Sequence, residues 1–144
     1  MDNDFDFSQV PFNWPLCYVG QCPRHEECLR YQANLHAPKQ VTTHPCVMPT
    51  ALEYDSCPHF HPIRKVRAAA GFRYIVSELK EKDLYPIRVE MTAYLGSRAT
   101  YYRYKNGQLL LTPAQQERIK KILQRHGYTN EVRFDGYQEI YQFL

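Results

Sequence analysis

Nowhere in the 144 residues does an apolar run approach the roughly 20 that a membrane-crossing helix needs. The start lacks the basic residues and apolar middle of a signal peptide, carrying Asp2, Asp4 and Asp6 instead. A cytoplasmic protein with no membrane partner is therefore expected. Glycine is scarce, at 6 residues, and there are no internal repeats or low-complexity stretches, so collagen-like and coiled-coil readings fall away. The chain also lacks a carboxylate pair, a phosphate-cradling loop and a nucleophile with identifiable partners, which points away from an enzyme. With 44% apolar and 23% charged residues, a folded domain with a core is expected.

What is present is unevenly placed. All five cysteines (Cys17, Cys22, Cys28, Cys46, Cys57), five of the six histidines and eight of the ten prolines precede Ile63. Residues 1–62 hold only 3 Lys/Arg against 7 Asp/Glu, while residues 63–144 hold 15 against 8. An acidic, Pro/Cys-rich segment (1–62) thus precedes a basic domain (63–144), and the basic half suggests an anionic partner.

In the first half, Phe5, Phe7, Val10, Phe12 and Trp14 alternate with polar residues or proline. They predict an extended aromatic arm that could contact another protein. One short helix is expected over Pro23–Leu35, with the remainder as loop. A stretch so rich in proline was expected to bury little apolar area and to need something other than a core.

The cysteines offer that something. Cys17, Cys22 and Cys28 follow C-x4-C-x5-C, and Cys57 comes later, in Cys57-Pro58-His59-Phe60-His61. Thiolates are soft anionic ligands, and four of them suit a closed tetrahedral Zn²⁺ site that contributes folding free energy. Three thiolates with a remote fourth also suit an iron–sulfur cluster, and the Cys-Pro steps at 22–23 and 57–58 echo ferredoxin runs. Cys46 is the odd one out, a substitute should Cys57 not serve. His59 and His61 are alternative ligands.

In the second half, apolar steps of three and four predict a helix over Ile63–Lys82, then short helices over Ile87–Leu95 and Arg98–Asn106, the latter capped by Ser97. The clearest helix starts at Thr112 as N-cap, with Pro113 first and Gln115 completing a capping box, and closes at Gly127. A tail with Tyr137, Ile140, Tyr141 and Phe143 follows. The expected architecture is mainly α, a helical domain beside a metal-stabilised segment.

The segment Leu95–Gly107, LGSRATYYRYKNG, resembles the turn and recognition helix of phage-repressor-type helix-turn-helix proteins, although its turn is one residue short. That resemblance implies double-stranded DNA as partner, bound as a homodimer, with Ser97, Arg98, Thr100, Tyr102 and Arg103 at the groove and Tyr101 and Tyr104 turned inward. The whole chain also resembles an uncharacterised bacterial domain-of-unknown-function family. The likeness rests on Cys22–Arg30, on Cys57–Phe60, and on Thr100–Arg103 followed by Leu111–Gln116. It groups Cys17, Cys22, Cys28 and Cys57 and implies no activity. The expected function is a small metal-stabilised DNA-binding or regulatory protein. The alternatives are a protein-interaction module and an iron–sulfur or redox protein.

Overall fold

The computed structural model describes residues 5–143. The chain forms two compact units, one from Met1–Arg64 with Tyr141–Leu144 and the other from Lys65–Ile140.

In the first unit, strand β1 (Leu16–Cys17) pairs in parallel with β2 (Cys46–Val47), Leu16 opposite Cys46 and Cys17 opposite Val47. Helix α1 (Leu29–Leu35) follows a 3-10 turn at His25–Glu27, so the expected Pro23–Leu35 helix is split and shorter. Leu29, which is fully buried, donates its N–H to His61 O (2.7 Å), and Cys28 bridges Pro62. This unit has an apolar core of its own: Val10, Trp14, Leu16, Leu29, Ala33, Tyr141 and Phe143, flanked by Phe5, Phe7 and Ile63. The aromatic arm is part of that core and is not an exposed contact surface. Phe5 packs on His36 and Tyr141, Trp14 is only 5% exposed, and Phe12 alone of the five apolar arm residues is strongly exposed.

In the second unit, β3 (Lys65–Ala70) neighbours β4 (Gly136–Tyr141), and Ala69 exchanges both backbone hydrogen bonds with Leu111 (2.9 and 2.8 Å). Helices α2 (Arg73–Ser77), α3 (Glu81–Leu95), α4 (Arg98–Lys105) and α5 (Pro113–Arg125) complete it. Their core gathers Phe72, Ile87, Met91, Tyr101, Leu111, Ile119 and Ile122.

The mainly α expectation is therefore overturned. The described chain is 42% helical and 14% strand, with two small sheets, so strand is a third as abundant as helix. The Ile63–Lys82 helix does not form as one piece. Its first half holds β3, Arg73–Ser77 forms the short α2, and Glu81–Lys82 already belong to α3. The break is at Gly71, whose φ of 84° lies where only glycine sits easily. A Cβ there would stand 2.6 Å from Asp135 Oδ2. That carboxylate accepts the N–H groups of Arg73 (2.7 Å) and Tyr74 (2.9 Å), so a residue 62 positions away caps α2. The expected C-terminal tail is likewise β4. Pro86 lies inside α3 and does not precede it, and the helix runs six residues further back than the expected Ile87 start. Helix α5 matches its sequence signature, with both capping-box bonds between Thr112 and Gln115 present. Among the described residues no helix is long and apolar enough to cross a membrane.

Candidate functional site

Cys17 ends β1, Cys22 lies in the following loop, Cys28 precedes α1, and Cys57 opens the Cys57-Pro58 turn. The fold brings all four to the wall of one cavity of about 40 Å³, together with Val19, Arg24, Arg30, Val47, His59 and Phe60. None of the cysteines is in a disulfide. Burial raises the Cys17 thiol above its ordinary 9.0, the Val19 backbone opposes this, and the charges of Cys28, Cys22 and Cys57 add to the rise. Cys17 thus lies within electrostatic reach of the other three thiols. Cys46 is elsewhere: it is exposed and borders a different groove with Met48, Tyr54 and Pro58. His59 lines the cavity, whereas His61 does not, with its Nε2 donating to Gln142 O (2.6 Å).

The expectation of a metal-stabilised segment as part of the fold is corrected. Among the described residues no group of three or more His, Cys, Asp or Glu is placed to hold a metal ion. The segment has an apolar core of its own around Trp14 and Leu29.

Arg30 was missed by sequence reasoning. Its Nε donates to His59 O (2.7 Å) and its Nη1 to Pro15 O (2.8 Å), while its guanidinium lies 4.4 Å from the Trp14 ring centroid. One side chain thereby ties the segments before Cys17 and after Cys57 to α1. Burial pulls its pKa down, and the charges of Cys28, Cys57 and Cys17 work against that. Arg24 lies 3.5 Å over the centroid of Phe60, another wall residue. A signal was available: Arg24 and Arg30 are two of only three basic residues before Ile63.

In the second unit, α3 ends at Leu95, Gly96 turns with φ 114°, and Ser97 caps α4. Of the expected groove residues, Ser97, Arg98 and Arg103 are exposed, while Thr100 and Tyr102 are half-buried. Ser97 Oγ donates to Thr100 Oγ1 (2.9 Å) and accepts the Thr100 N–H (3.1 Å), so these two hydroxyls are already engaged in the cap. Tyr101 is buried against Phe72, the inward turn that the resemblance implied for it. The Tyr104 hydroxyl accepts from Gln115 (3.3 Å). The sequence reading did not find that Arg88 of α3 and Lys105 join Arg98 around Tyr102. Arg98, first, and then Arg88 lower the Tyr102 pKa by hydrogen bonding and charge, whereas burial raises that of Tyr101.

Two adjacent tyrosines thus titrate in opposite senses. A raised folded-state pKa makes the Tyr101 contribution to stability complete below its ordinary 10.0 and lost as pH rises through the raised value. Tyr102, lowered, contributes in the opposite direction. Tyr101→Phe is therefore expected to flatten the fall in Tm between about pH 9 and about pH 11. Tyr102→Phe is expected to delete the earlier phase of phenolate absorbance in a pH titration. The same alkaline slope in Tyr101→Phe as in the wild type would contradict this.

Comparison with known proteins places the chain. It belongs to DUF6078, a family of unknown function, whose profile matches residues 1–143. No curated protein and no solved structure matches it.

Proposed function

We propose that the protein is a redox protein whose cavity in the first unit holds an iron–sulfur cluster on Cys17, Cys22, Cys28 and Cys57. The observation that carries this reading is the meeting of four unpaired thiols, drawn from positions 17 to 57, on one small cavity. A single zinc ion favours the cavity less. With Zn–S at about 2.3 Å, four tetrahedral thiolates stand only about 3.8 Å apart. Here the thiols share a wall and a field, yet no three are placed for one ion. A multi-atom cluster lies between its cysteines and keeps them further apart.

The surroundings suit such a group. Val19, Val47, Ala51 and Phe60 keep water away, and burial with nearby charge sets a cluster's potential. Arg30, fixed by two carbonyls, supplies positive charge beside an anionic centre. The cluster would supply one-electron chemistry, and the chain's own residues ligate it, shield it and balance its charge.

The test is anaerobic purification, followed by reconstitution with iron and sulfide. The expected result is brown protein containing iron and acid-labile sulfide, with Cys57→Ser losing both and Cys46→Ser keeping both. Colourless protein with one zinc per chain, or protein that takes up neither metal, would overturn the reading.

A further inference from the structure

We propose that the groove between α3 and α4 binds a nucleotide of single-stranded nucleic acid, with its phosphate on Arg88, Arg98 and Lys105 and its unpaired base against Tyr102. The inference is independent of the thiol cavity and lies wholly within the second unit.

Three cations meet at one phenol. The Arg98 guanidinium carbon lies 5.9 Å, and Lys105 Nζ 5.5 Å, from the Tyr102 ring centroid. Arg88 reaches the same phenol from α3 and also lies 5.6 Å from the exposed Tyr85 ring. Among the described residues no carboxylate forms an ion pair with any of the three. Like charges gathered without a counter-charge repel one another, and a bound phosphate relieves that repulsion while offering acceptors to both guanidiniums.

Beside this cluster lies a groove of about 190 Å³. Its floor is apolar, formed by Val76, Leu79, Leu84 and Ile87, and Arg88, Tyr102 and Lys105 also line it. No acidic residue lines it. It is smaller than a drug-sized site, which starts at about 300 Å³, and suits one planar ring. An apolar slot beside an aromatic ring and a phosphate-sized cluster of cations is the chemistry that takes an unpaired base with its backbone. Paired bases in a duplex cannot enter it, which favours a single strand over the duplex that the helix-turn-helix resemblance implied. Exposed Tyr85, 67% accessible and next to Arg88, provides a ring for the neighbouring base.

The test is fluorescence anisotropy with a labelled mixed-sequence single-stranded DNA, competed by the same sequence as duplex, by a mononucleotide and by inorganic polyphosphate. Single-strand binding is expected to weaken with salt, with a log–log slope of about −0.7 for the one phosphate held by the three cations. The duplex and the mononucleotide are each expected to compete at least about tenfold less well, since pairing hides the base and a lone nucleotide has no neighbouring base to stack on Tyr85. Arg88→Gln with Arg98→Gln should weaken binding at least about tenfold, as charge-assisted contacts are lost. Tyr102→Leu should do so by about tenfold, whereas Tyr102→Phe, which keeps the ring, should bind nearly as wild type. Circular dichroism verifies that each variant folds. Any of three results would overturn the inference: absence of salt-dependent binding, a double-arginine variant that binds as wild type, or duplex or polyphosphate competing as well as the strand.

Discussion

Trp14→Ala is expected to destabilise the first unit by about 3–5 kcal/mol, the usual cost of truncating a buried aromatic to alanine. Trp14 is 5% exposed. Its ring stands edge-on to His61 (5.4 Å) and Phe143 (5.1 Å) and carries the Arg30 guanidinium on its face. The substitution would remove the centre of that packing and leave Arg30 without its apolar support. The effect is expected in metal-free, chelator-treated protein as well as in loaded protein, because the packing lost is that of the apolar core. Trp14 is the only tryptophan in the chain, so wild-type fluorescence reports this unit directly. Chelated wild-type protein should show a blue-shifted emission and a cooperative unfolding transition. A red-shifted, featureless signal without metal would show that the core described here does not hold on its own. The variant itself is followed by near-ultraviolet circular dichroism and calorimetry.

Phe72→Ala is expected to cost the second unit a similar amount, about 3–5 kcal/mol. Phe72 is fully buried and meets Tyr101 edge-on at 5.4 Å. It also occupies the joint between β3 and α2, where its N–H donates to Lys105 O (3.1 Å). A cavity at that joint would loosen the strand end, α2 and α4 together, because interiors are packed too closely to absorb the loss of a ring. Phe72→Leu should cost distinctly less, since it keeps part of the volume. Urea denaturation followed by far-ultraviolet circular dichroism measures both. Equal stability of Phe72→Ala and wild type would mean that this residue is not central to the core.

Much of the local structure was legible. Thr112, Pro113 and Gln115 announced α5, and Ser97 announced the start of α4, because caps are satisfied by neighbours in sequence. The grouping of Cys17, Cys22, Cys28 and Cys57, and the separation of Cys46, also came from sequence. So did the inward turn of Tyr101, which the resemblance at Leu95–Gly107 implied.

The misreadings share one cause. Residues 63–82 show helical periodicity, but Gly71 and the carboxylate of Asp135, 62 positions beyond Arg73, decide where the helix begins. Pairing with β4 takes Lys65–Ala70 into a sheet. The prolines of the first half suggested a segment without a core, yet Tyr141 and Phe143 arrive from the far end of the chain to complete one. Period and capping are local and travel with the sequence. A partner 60 to 130 residues away leaves no local mark, so tertiary structure alone chose strand over helix in β3 and a packed core over an open arm. It also drew Arg30 against the thiol cavity and Arg88 of α3 against Tyr102, because each of these side chains is defined by what the fold brings to it.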